Sequence, residues 1–148
     1  MAVSEVSYRY GERLALDRLS FSVDSGEIYG LLGPNGGGKT TLFELLSSLR
    51  PLQEGSVAVL GRDLARNAVA VRQSFGVAFQ APSLDVHLKV RENMVHQGHL
   101  YGLRGRRLAE RIGLLLERFD LADRAADKVG ELSGGLQRRV EIAKALIH

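Results

Sequence analysis

The stretch that decides the fold is Gly33-Pro34-Asn35-Gly36-Gly37-Gly38-Lys39-Thr40. It fits the pattern G-x-x-x-x-G-K-[ST] of a phosphate-binding loop. A polyphosphate carries several negative charges in a small volume, so backbone N–H groups must approach it closely. Glycine permits this approach because it has no side chain and tolerates a positive φ. The stretch therefore predicts a polyphosphate site, with Lys39 reaching the β- and γ-phosphates and the Thr40 hydroxyl on Mg²⁺.

The sequence on both sides of the loop supplies the context that the motif needs. The apolar run from Glu27 to Leu32 predicts a strand buried on both faces. After the loop, leucines recur at helical spacing and a proline follows the last of them. These residues are Leu42, Leu45, Leu46, Leu49 and Pro51. The predicted helix points its N-terminus at the bound anion.

Further along the chain, hydrophobic patterning predicts a change of architecture near residues 80–84. Before it, strands are predicted at Val6–Tyr10, Leu19–Val23, Ser56–Leu60 and Phe75–Phe79, with a helical stretch near Leu64–Arg72. After it, two helix faces are predicted, formed by Leu108, Ile112, Leu115, Leu116 and Phe119, and by Leu136, Val140, Ala143 and Ile147. The first part therefore alternates strand and helix, and the second is helical.

Composition narrows the class of protein. The chain has 148 residues, of which 45% are hydrophobic and 25% charged, as in one soluble globular domain. A net charge of +3 is too small to indicate nucleic-acid binding. The absence of cysteine excludes disulfides, thiolate metal sites and a cysteine nucleophile. Without an 18-residue apolar run or a signal peptide, a cytosolic location is expected.

A second glycine-rich stretch, Leu132-Ser133-Gly134-Gly135-Leu136-Gln137, lies before the last apolar helix face. Ser133 is predicted to be the N-cap of that helix. The two glycines leave the first N–H groups of the helix uncovered, which makes a second potential anion site. Taken alone, the stretch also fits an ordinary capped junction between a loop and a helix.

Together the two glycine stretches resemble those of the ATP-binding subunit of ABC transporters. Residues 33–41 resemble its Walker A loop, with Gly37 where alanine or serine is usual. Residues 132–136 resemble its signature loop, with Leu136 where glutamine is commoner. Gln80 is similar to the Q-loop glutamine, and Tyr10, just before Gly11, to the aromatic residue of the A-loop. Residues 83–93 resemble the segment after the Q-loop, with Lys89 where threonine is common.

The resemblance implies a role for each matching residue. Tyr10 would stack on adenine, with Tyr8 on the same strand face as the rival candidate. The phosphates of ATP would be held by Asn35, Gly36, Gly37, Gly38, Lys39, Thr40 and Thr41. Lys39 and Gln80 would be the catalytic residues, with Thr40 and Gln80 on Mg²⁺; Gln80 would contact either that ion or the attacking water.

The signature loop implies a second subunit. Ser133, Gly134 and Gly135 would bind the γ-phosphate of an ATP molecule held by another ATP-binding subunit, in a homodimer or a heterodimer. One chain's signature loop is not expected to reach its own phosphate loop.

The resemblance also implies an architecture and partners. The expected fold is an α/β P-loop NTPase with N-terminal antiparallel strands and a helical subdomain, incomplete at its C-terminus. Residues 1–83 would form the nucleotide-binding core, residues 84–131 the helical subdomain, and residues 132–148 the signature loop and helix. The helical part would dock onto a transmembrane permease subunit, at the cytoplasmic face of the membrane. No nucleic-acid partner is expected.

Two elements of the family have no counterpart in the sequence. These are the Walker B strand ending in Asp-Glu, and the switch histidine; His148 precedes the Walker B position. In the family, that strand lies between the phosphate-loop strand and the one ending at Gln80. We therefore expect the 148-residue chain alone to leave apolar faces uncovered, to be marginally stable and not to turn over ATP.

The favoured hypothesis is the ATP-binding subunit of an ABC transporter, with export favoured over import. The alternatives are a soluble ABC-type ATPase of DNA repair or translation, and a nucleotide-binding fragment without catalysis. A P-loop kinase or GTPase leaves the 132–136 stretch unexplained. Other features receive plainer interpretations: His96 and His99 as ordinary histidines, and Arg138 and Arg139 as side chains that extend along the last helix to solvent.

Overall fold

The computed structural model describes residues 1–148, which form two compact units, Met1–Ser74 and Phe75–His148. The first unit contains strands β1 (Ala2–Tyr10), β2 (Arg13–Ser22), β3 (Glu54–Val59) and β4 (Arg62–Asp63), with helices α1 (Lys39–Leu46) and α2 (Ala68–Arg72). The second contains helices α3 (Val90–Leu100), α4 (Gly105–Arg118) and α5 (Gly134–Ala145), with 3₁₀ turns at Ala122–Arg124 and Val129–Glu131.

The sheet of the first unit is antiparallel throughout, with the strand order β2-β1-β3-β4. β1 and β2 form a hairpin in which Tyr10 pairs with Arg13 and Tyr8 with Leu16. Gly11 has a φ of +58° in the tight connection between them. The strands predicted at Val6–Tyr10, Leu19–Val23 and Ser56–Leu60 are confirmed by β1, β2 and β3. One face of the sheet is buried and contributes Val3, Val6, Tyr8, Leu16 and Val57 to the core.

Helix α1 begins at Lys39, as predicted, and buries Leu42 and Leu45. It ends at Leu46, so the prediction that Leu49 belongs to it is wrong. The reason is a Schellman-type ending: Ser48 has a φ of +56°, and the N–H group of Leu49 donates to the Glu44 carbonyl at 2.9 Å. This turn satisfies carbonyls at the end of the helix and directs Leu49 to solvent.

Helices α3, α4 and α5 share the core of the second unit. Helix α4 presents four of the five residues of its predicted face to this core, with Phe119 half-buried just after it. Helix α5 contributes Val140 and Ala143, and Ile147 follows its end. The two helix predictions are confirmed, because the apolar residues at three- and four-residue spacing occupy one buried stripe on each helix.

Two predicted strands are absent. Residues 27–32 and 75–79 form no backbone ladder with any strand. Ile28 is 99% and Leu32 94% exposed. An apolar run becomes a strand only where a neighbouring strand offers N–H and C=O partners, and neither segment pairs with the four-stranded sheet.

The division between the units also differs from the predicted boundary after residue 83. It falls between Ser74 and Phe75, because side chains of α5 bind the segment that precedes Leu84. The functional division at 83/84 and 131/132 stays a prediction. None of the helices has the length and mean hydropathy needed to cross a membrane.

Candidate functional site

The phosphate loop has the backbone that its glycines were expected to supply. Gly36 has a φ of +82° and Gly38 a φ of +80°, in the left-handed region that side-chain-bearing residues rarely adopt. Gly38 also lies against β2: a Cβ atom on it would come within 2.4 Å of the Ala15 carbonyl oxygen. The loop therefore needs glycine at this position for conformation and for space.

Lys39 extends back over the loop that precedes it. Its Nζ atom donates hydrogen bonds of 2.7 Å to the carbonyl oxygens of Gly33 and Pro34. An ammonium group has three N–H donors, so these bonds use two and the charge stays at the loop. The Gly37 N–H group closes a turn onto the Pro34 carbonyl at 3.1 Å. The turn and the lysine together place a positive charge at the exposed loop.

The N-terminus of α1 carries no side-chain cap. Its first N–H groups have no acceptor in the preceding turn of the helix, and they add to the positive end of the helix dipole. Thr40 is exposed in this first turn, whereas Thr41 is buried. Asn35 is exposed in the loop before them. Open N–H groups, positive-φ glycines and an ammonium group are the donor set that a polyphosphate requires.

The donor set also suits Mg²⁺ held together with phosphates. A magnesium ion takes oxygen ligands and keeps several of them as water or phosphate, so one threonine hydroxyl is a sufficient anchor from α1. Thr40 offers that hydroxyl in the exposed first turn. The chain contains no group of three or more histidines or carboxylates that could hold a metal ion, so His96 and His99 are not part of such a group.

Tyr10, not Tyr8, is the accessible aromatic residue of β1. Tyr10 is 41% exposed, whereas Tyr8 is 7% exposed and part of the core. The Tyr10 hydroxyl lies 3.4 Å from Thr41 Oγ1, which places the ring beside the phosphate-loop helix. Of the two tyrosines that are candidates for stacking on adenine, only Tyr10 has an accessible ring.

The second glycine stretch forms an open corner at the start of α5. Ser133 is its N-cap, as predicted, and its Oγ atom accepts a hydrogen bond of 3.4 Å from Leu136 N–H. Ser133, Gly134 and Gly135 are all exposed. A Cβ atom at either glycine would meet nothing within 4 Å, and neither has a positive φ. This corner is accessible to a molecule outside the chain.

Gln80 is exposed in a loop that α5 fastens on both sides of it. Arg138 Nη1 donates to the Phe79 carbonyl at 2.6 Å, and Ser83 N–H donates to Glu141 Oε1 at 2.5 Å. Arg138 also pairs with Glu141 at 2.9 Å. The expectation that Arg138 extends freely to solvent is therefore wrong: its guanidinium group ties the Gln80 loop to the helix that begins at the glycine corner.

Lys144 and Glu141 complete this fastening. Lys144 Nζ donates to the Ser83 carbonyl at 2.5 Å and to Ser83 Oγ at 3.1 Å. Burial raises the pKa of the Glu141 carboxyl, but hydrogen bonds from Ser83 and from Arg138 outweigh it, so the pKa lies below its ordinary value. Burial lowers the pKa of Lys144, and the negative charge of Glu141 opposes that change.

Comparison with known proteins identifies the family. The ABC transporter family model matches residues 16–148. The chain belongs to the ABC transporter family. Two curated relatives of this family are the Nod factor export ATP-binding protein I of Sinorhizobium fredii, 42% identical over 146 residues, and the daunorubicin resistance ATP-binding protein DrrA3 of Streptomyces coeruleorubidus, 44% identical over 147 residues.

These ABC transporter relatives are longer than the chain. The matches cover 99% of the chain but only 43% of the first relative and 46% of the second. The chain thus spans less than half the length of the curated relatives it matches.

Solved ABC transporter structures support the fold. The ADP conformation of an ATP-binding cassette matches with a TM-score of 0.89 and 28% identity, over 99% of the chain and 63% of that structure. An ATP-binding subunit of an ABC transporter matches with a TM-score of 0.83 and 28% identity, over 99% of the chain and 61% of that structure. The chain therefore has the α/β P-loop NTPase fold of ABC ATPases.

Each unit of this ABC family chain brings together part of the predicted site. The first unit places Tyr10 beside α1 and the phosphate loop. The second unit carries the Gln80 loop and the Ser133–Gly135 corner, connected through α5. The roles assigned to these residues through the family stay predictions.

Sequence reasoning missed the side chains that position these elements. Arg138, Glu141 and Lys144 recur at i, i+3 and i+6, a spacing on one side of a helix that could have indicated a shared partner. Glu44 and Arg50 also escaped notice. They pair with each other across the end of α1, where helical spacing no longer applies.

Proposed function

We propose that the chain binds MgATP through Tyr10 and residues 35–41 and forms the ATP-binding part of an ABC transporter. The observation that carries this proposal is the uncapped N-terminus of α1 behind a loop with two positive-φ glycines and the Lys39 ammonium group. A bound triphosphate would take the open N–H groups and the third lysine donor. Tyr10 would stack on the base.

In this proposal Thr40 and Gln80 would hold Mg²⁺, and the ion would supply positive charge that offsets the phosphate charge. Lys39 stabilises the negative charge that develops on the transferred phosphoryl group. Gln80 contacts the ion or orients the attacking water. ATP hydrolysis belongs to the proposal for the whole protein, of which the described residues supply the phosphate loop and Gln80.

We further propose that the Ser133–Gly135 corner binds the γ-phosphate of ATP on a second ATP-binding subunit. The open space around both glycines supports this assignment, because backbone N–H groups there are accessible from outside. The family resemblance fits either a homodimer or a heterodimer.

The proposed physiological role is to couple ATP binding and hydrolysis to transport, with export as the direction. The printed names of two relatives, one for Nod factor export and one for daunorubicin resistance, support that direction. Residues 84–131 would form the helical subdomain that docks onto a transmembrane permease. The chain would then lie at the cytoplasmic face of the membrane.

Isothermal titration of the intact protein with MgATP tests the nucleotide site. We expect saturable binding that Lys39→Ala weakens at least about tenfold, because charged hydrogen bonds to phosphate are lost. Lys128→Ala is the matched control, since it removes an exposed lysine outside the site and should leave binding unchanged. Absence of MgATP binding by the unmodified protein contradicts the proposal.

Sedimentation of the intact protein tests the proposed partner. We expect association between ATP-binding subunits to increase with MgATP and to stay low with Lys39→Ala. Copurification with a protein that contains several apolar 20-residue spans would support the transporter assignment. ATP-dependent association without any such membrane protein would favour a soluble ABC-type ATPase.

A further inference from the structure

We propose that Glu44 and Arg50 form a clamp that positions Tyr10 for stacking on the nucleobase. This inference rests on the proposed function, because it assigns positioning residues to the same nucleotide site. The observation behind it is that four side chains contact the ring or the hydroxyl of an exposed tyrosine beside the phosphate-loop helix.

The Tyr10 ring is held by a T-shaped contact with Tyr8, by Arg50 over one face and at its hydroxyl. The Tyr8 ring contacts it with centroids 5.1 Å apart and planes at 67°. The Arg50 guanidinium carbon lies over the Tyr10 ring, 5.1 Å from its centroid. The hydroxyl lies 3.4 Å from Thr41 Oγ1 and donates to Glu44 Oε2 at 3.4 Å. An exposed ring without such contacts would sample several rotamers.

Arg50 is in turn fixed to α1. Its Nε atom donates to Glu44 Oε2, and its backbone N–H group donates to the Glu44 carbonyl at 3.2 Å. The hydrogen bond to Glu44 raises the pKa of Arg50 above its ordinary value, so the guanidinium group stays charged. Glu44 belongs to the helix that begins at Lys39, so the clamp ties the ring to the same rigid element that begins at the phosphate loop.

This connection has a functional consequence. The base and the phosphates of a nucleoside triphosphate are covalently connected over a limited span, so affinity depends on how well the stacking ring and the phosphate loop are positioned together. Fixing the ring before binding lowers the entropy cost of stacking. Because Arg50 lies over one face of the ring, the proposal requires the base to stack on the other face.

The test compares MgATP with magnesium tripolyphosphate, which has the phosphates but lacks a base. For Arg50→Gln and Glu44→Gln we expect MgATP affinity to fall about three- to tenfold and tripolyphosphate affinity to stay unchanged, the range set by one cation–π contact and one ordered side chain. Arg66→Gln is the matched control, because Arg66 is exposed in the same unit and undergoes the same substitution as Arg50. It should alter neither affinity.

A double-mutant cycle with Tyr10→Ala completes the test. If Arg50 acts through the ring, Arg50→Gln should have no further effect on MgATP affinity in the Tyr10→Ala background. A different result is that Arg50→Gln lowers MgATP affinity as much in the Tyr10→Ala background as alone, or lowers tripolyphosphate affinity equally. Either result would show that Arg50 acts only as a general positive charge and would overturn the clamp. Tighter MgATP binding by Arg50→Gln also overturns it, because the guanidinium group would then occupy the place of the base.

The two proposals fail in different ways. If the unmodified protein binds neither MgATP nor tripolyphosphate, the nucleotide site itself is wrong and the clamp falls with it. If the unmodified protein binds MgATP and Lys39→Ala does not, whereas Arg50→Gln binds normally, only the clamp is wrong. Circular dichroism of each variant checks that the fold is retained.

Discussion

Two glycine corners each precede a helix in this protein, and their surroundings differ. At the start of α1, Gly38 has a φ of +80°, lies against the Ala15 carbonyl and is followed by a helix without a side-chain cap. At the start of α5, Gly134 and Gly135 have no positive φ, face open space and follow a serine that caps the helix.

The difference indicates two uses of glycine. The first corner needs glycine for its own conformation, because a side chain would be strained and would collide with β2. The second corner has no such need within the chain, and glycine at the start of a helix costs stability relative to alanine. We therefore propose that its glycines allow close approach of a molecule from outside, in line with the proposed contact to a second subunit.

The largest expected effect comes from Gly38→Ala. Forcing alanine into the left-handed region and against the Ala15 carbonyl should cost at least about 2 kcal/mol of unfolding free energy and abolish MgATP binding. Urea unfolding and titration calorimetry measure the two effects. Gly61→Ala, also at a positive φ but with open space around it, is the control for strain alone. Equal losses in the two variants would refute the role of close packing.

The next largest effect concerns the contacts between α5 and the loop that contains Gln80. Glu141→Gln keeps the shape of the side chain but removes the charge that accepts from Ser83 N–H and pairs with Arg138. We expect a loss of about 1–2 kcal/mol in unfolding free energy near neutral pH, since hydrogen bonds to charged groups are the stronger ones. Hydrogen exchange at residues 79–83 should increase. Glu117→Gln, an exposed residue on α4, is the control.

The same carboxylate predicts a pH dependence. Its pKa in the folded state lies below the ordinary value of 4.5, so its stabilisation is present above that value and is lost as pH falls through the folded-state pKa. The stability difference between the unmodified protein and Glu141→Gln should therefore shrink from about pH 6 to about pH 3. A difference that stays constant over this range would contradict the assignment.

A smaller effect is expected from Ser133→Ala. The cap bond to Leu136 N–H is long, at 3.4 Å, so its loss should cost only about 0.5 kcal/mol. Thermal unfolding measures this change. Ser133→Asp tests the cause, because it restores a cap acceptor and should recover the stability. Failure of aspartate to do so would mean that the serine hydroxyl does not act as the cap.

The smallest effect on stability, and one of opposite sign, is expected from Gly135→Ala. Because a Cβ atom there meets nothing, alanine should raise the unfolding free energy by up to about 0.5 kcal/mol. If a second subunit's phosphate approaches this corner, the same variant should lose MgATP-dependent association in sedimentation. A variant that is both more stable and fully able to associate would refute the proposed use of this glycine.

The sequence predicted local structure well where a pattern lies within one element. The hairpin strands, β3, the start of α1 and the stripes of α4 and α5 follow from alternation, helical spacing and the two glycine stretches. The failures concern residues whose partners are distant. Residues 27–32 and 75–79 are apolar enough for strands, but a strand needs a neighbour, and composition does not supply one.

The site divides in the same way. The residue types and their spacing at 33–40 predicted a polyphosphate ligand without any coordinates. The reason is that this arrangement of glycine, lysine and threonine has few uses other than binding phosphate. Only the tertiary structure decided that Tyr10 is accessible and Tyr8 buried, that Arg50 lies on the Tyr10 ring, and that α5 holds the Gln80 loop. These facts depend on residues between 31 and 59 positions apart, and local patterns carry no information about such contacts.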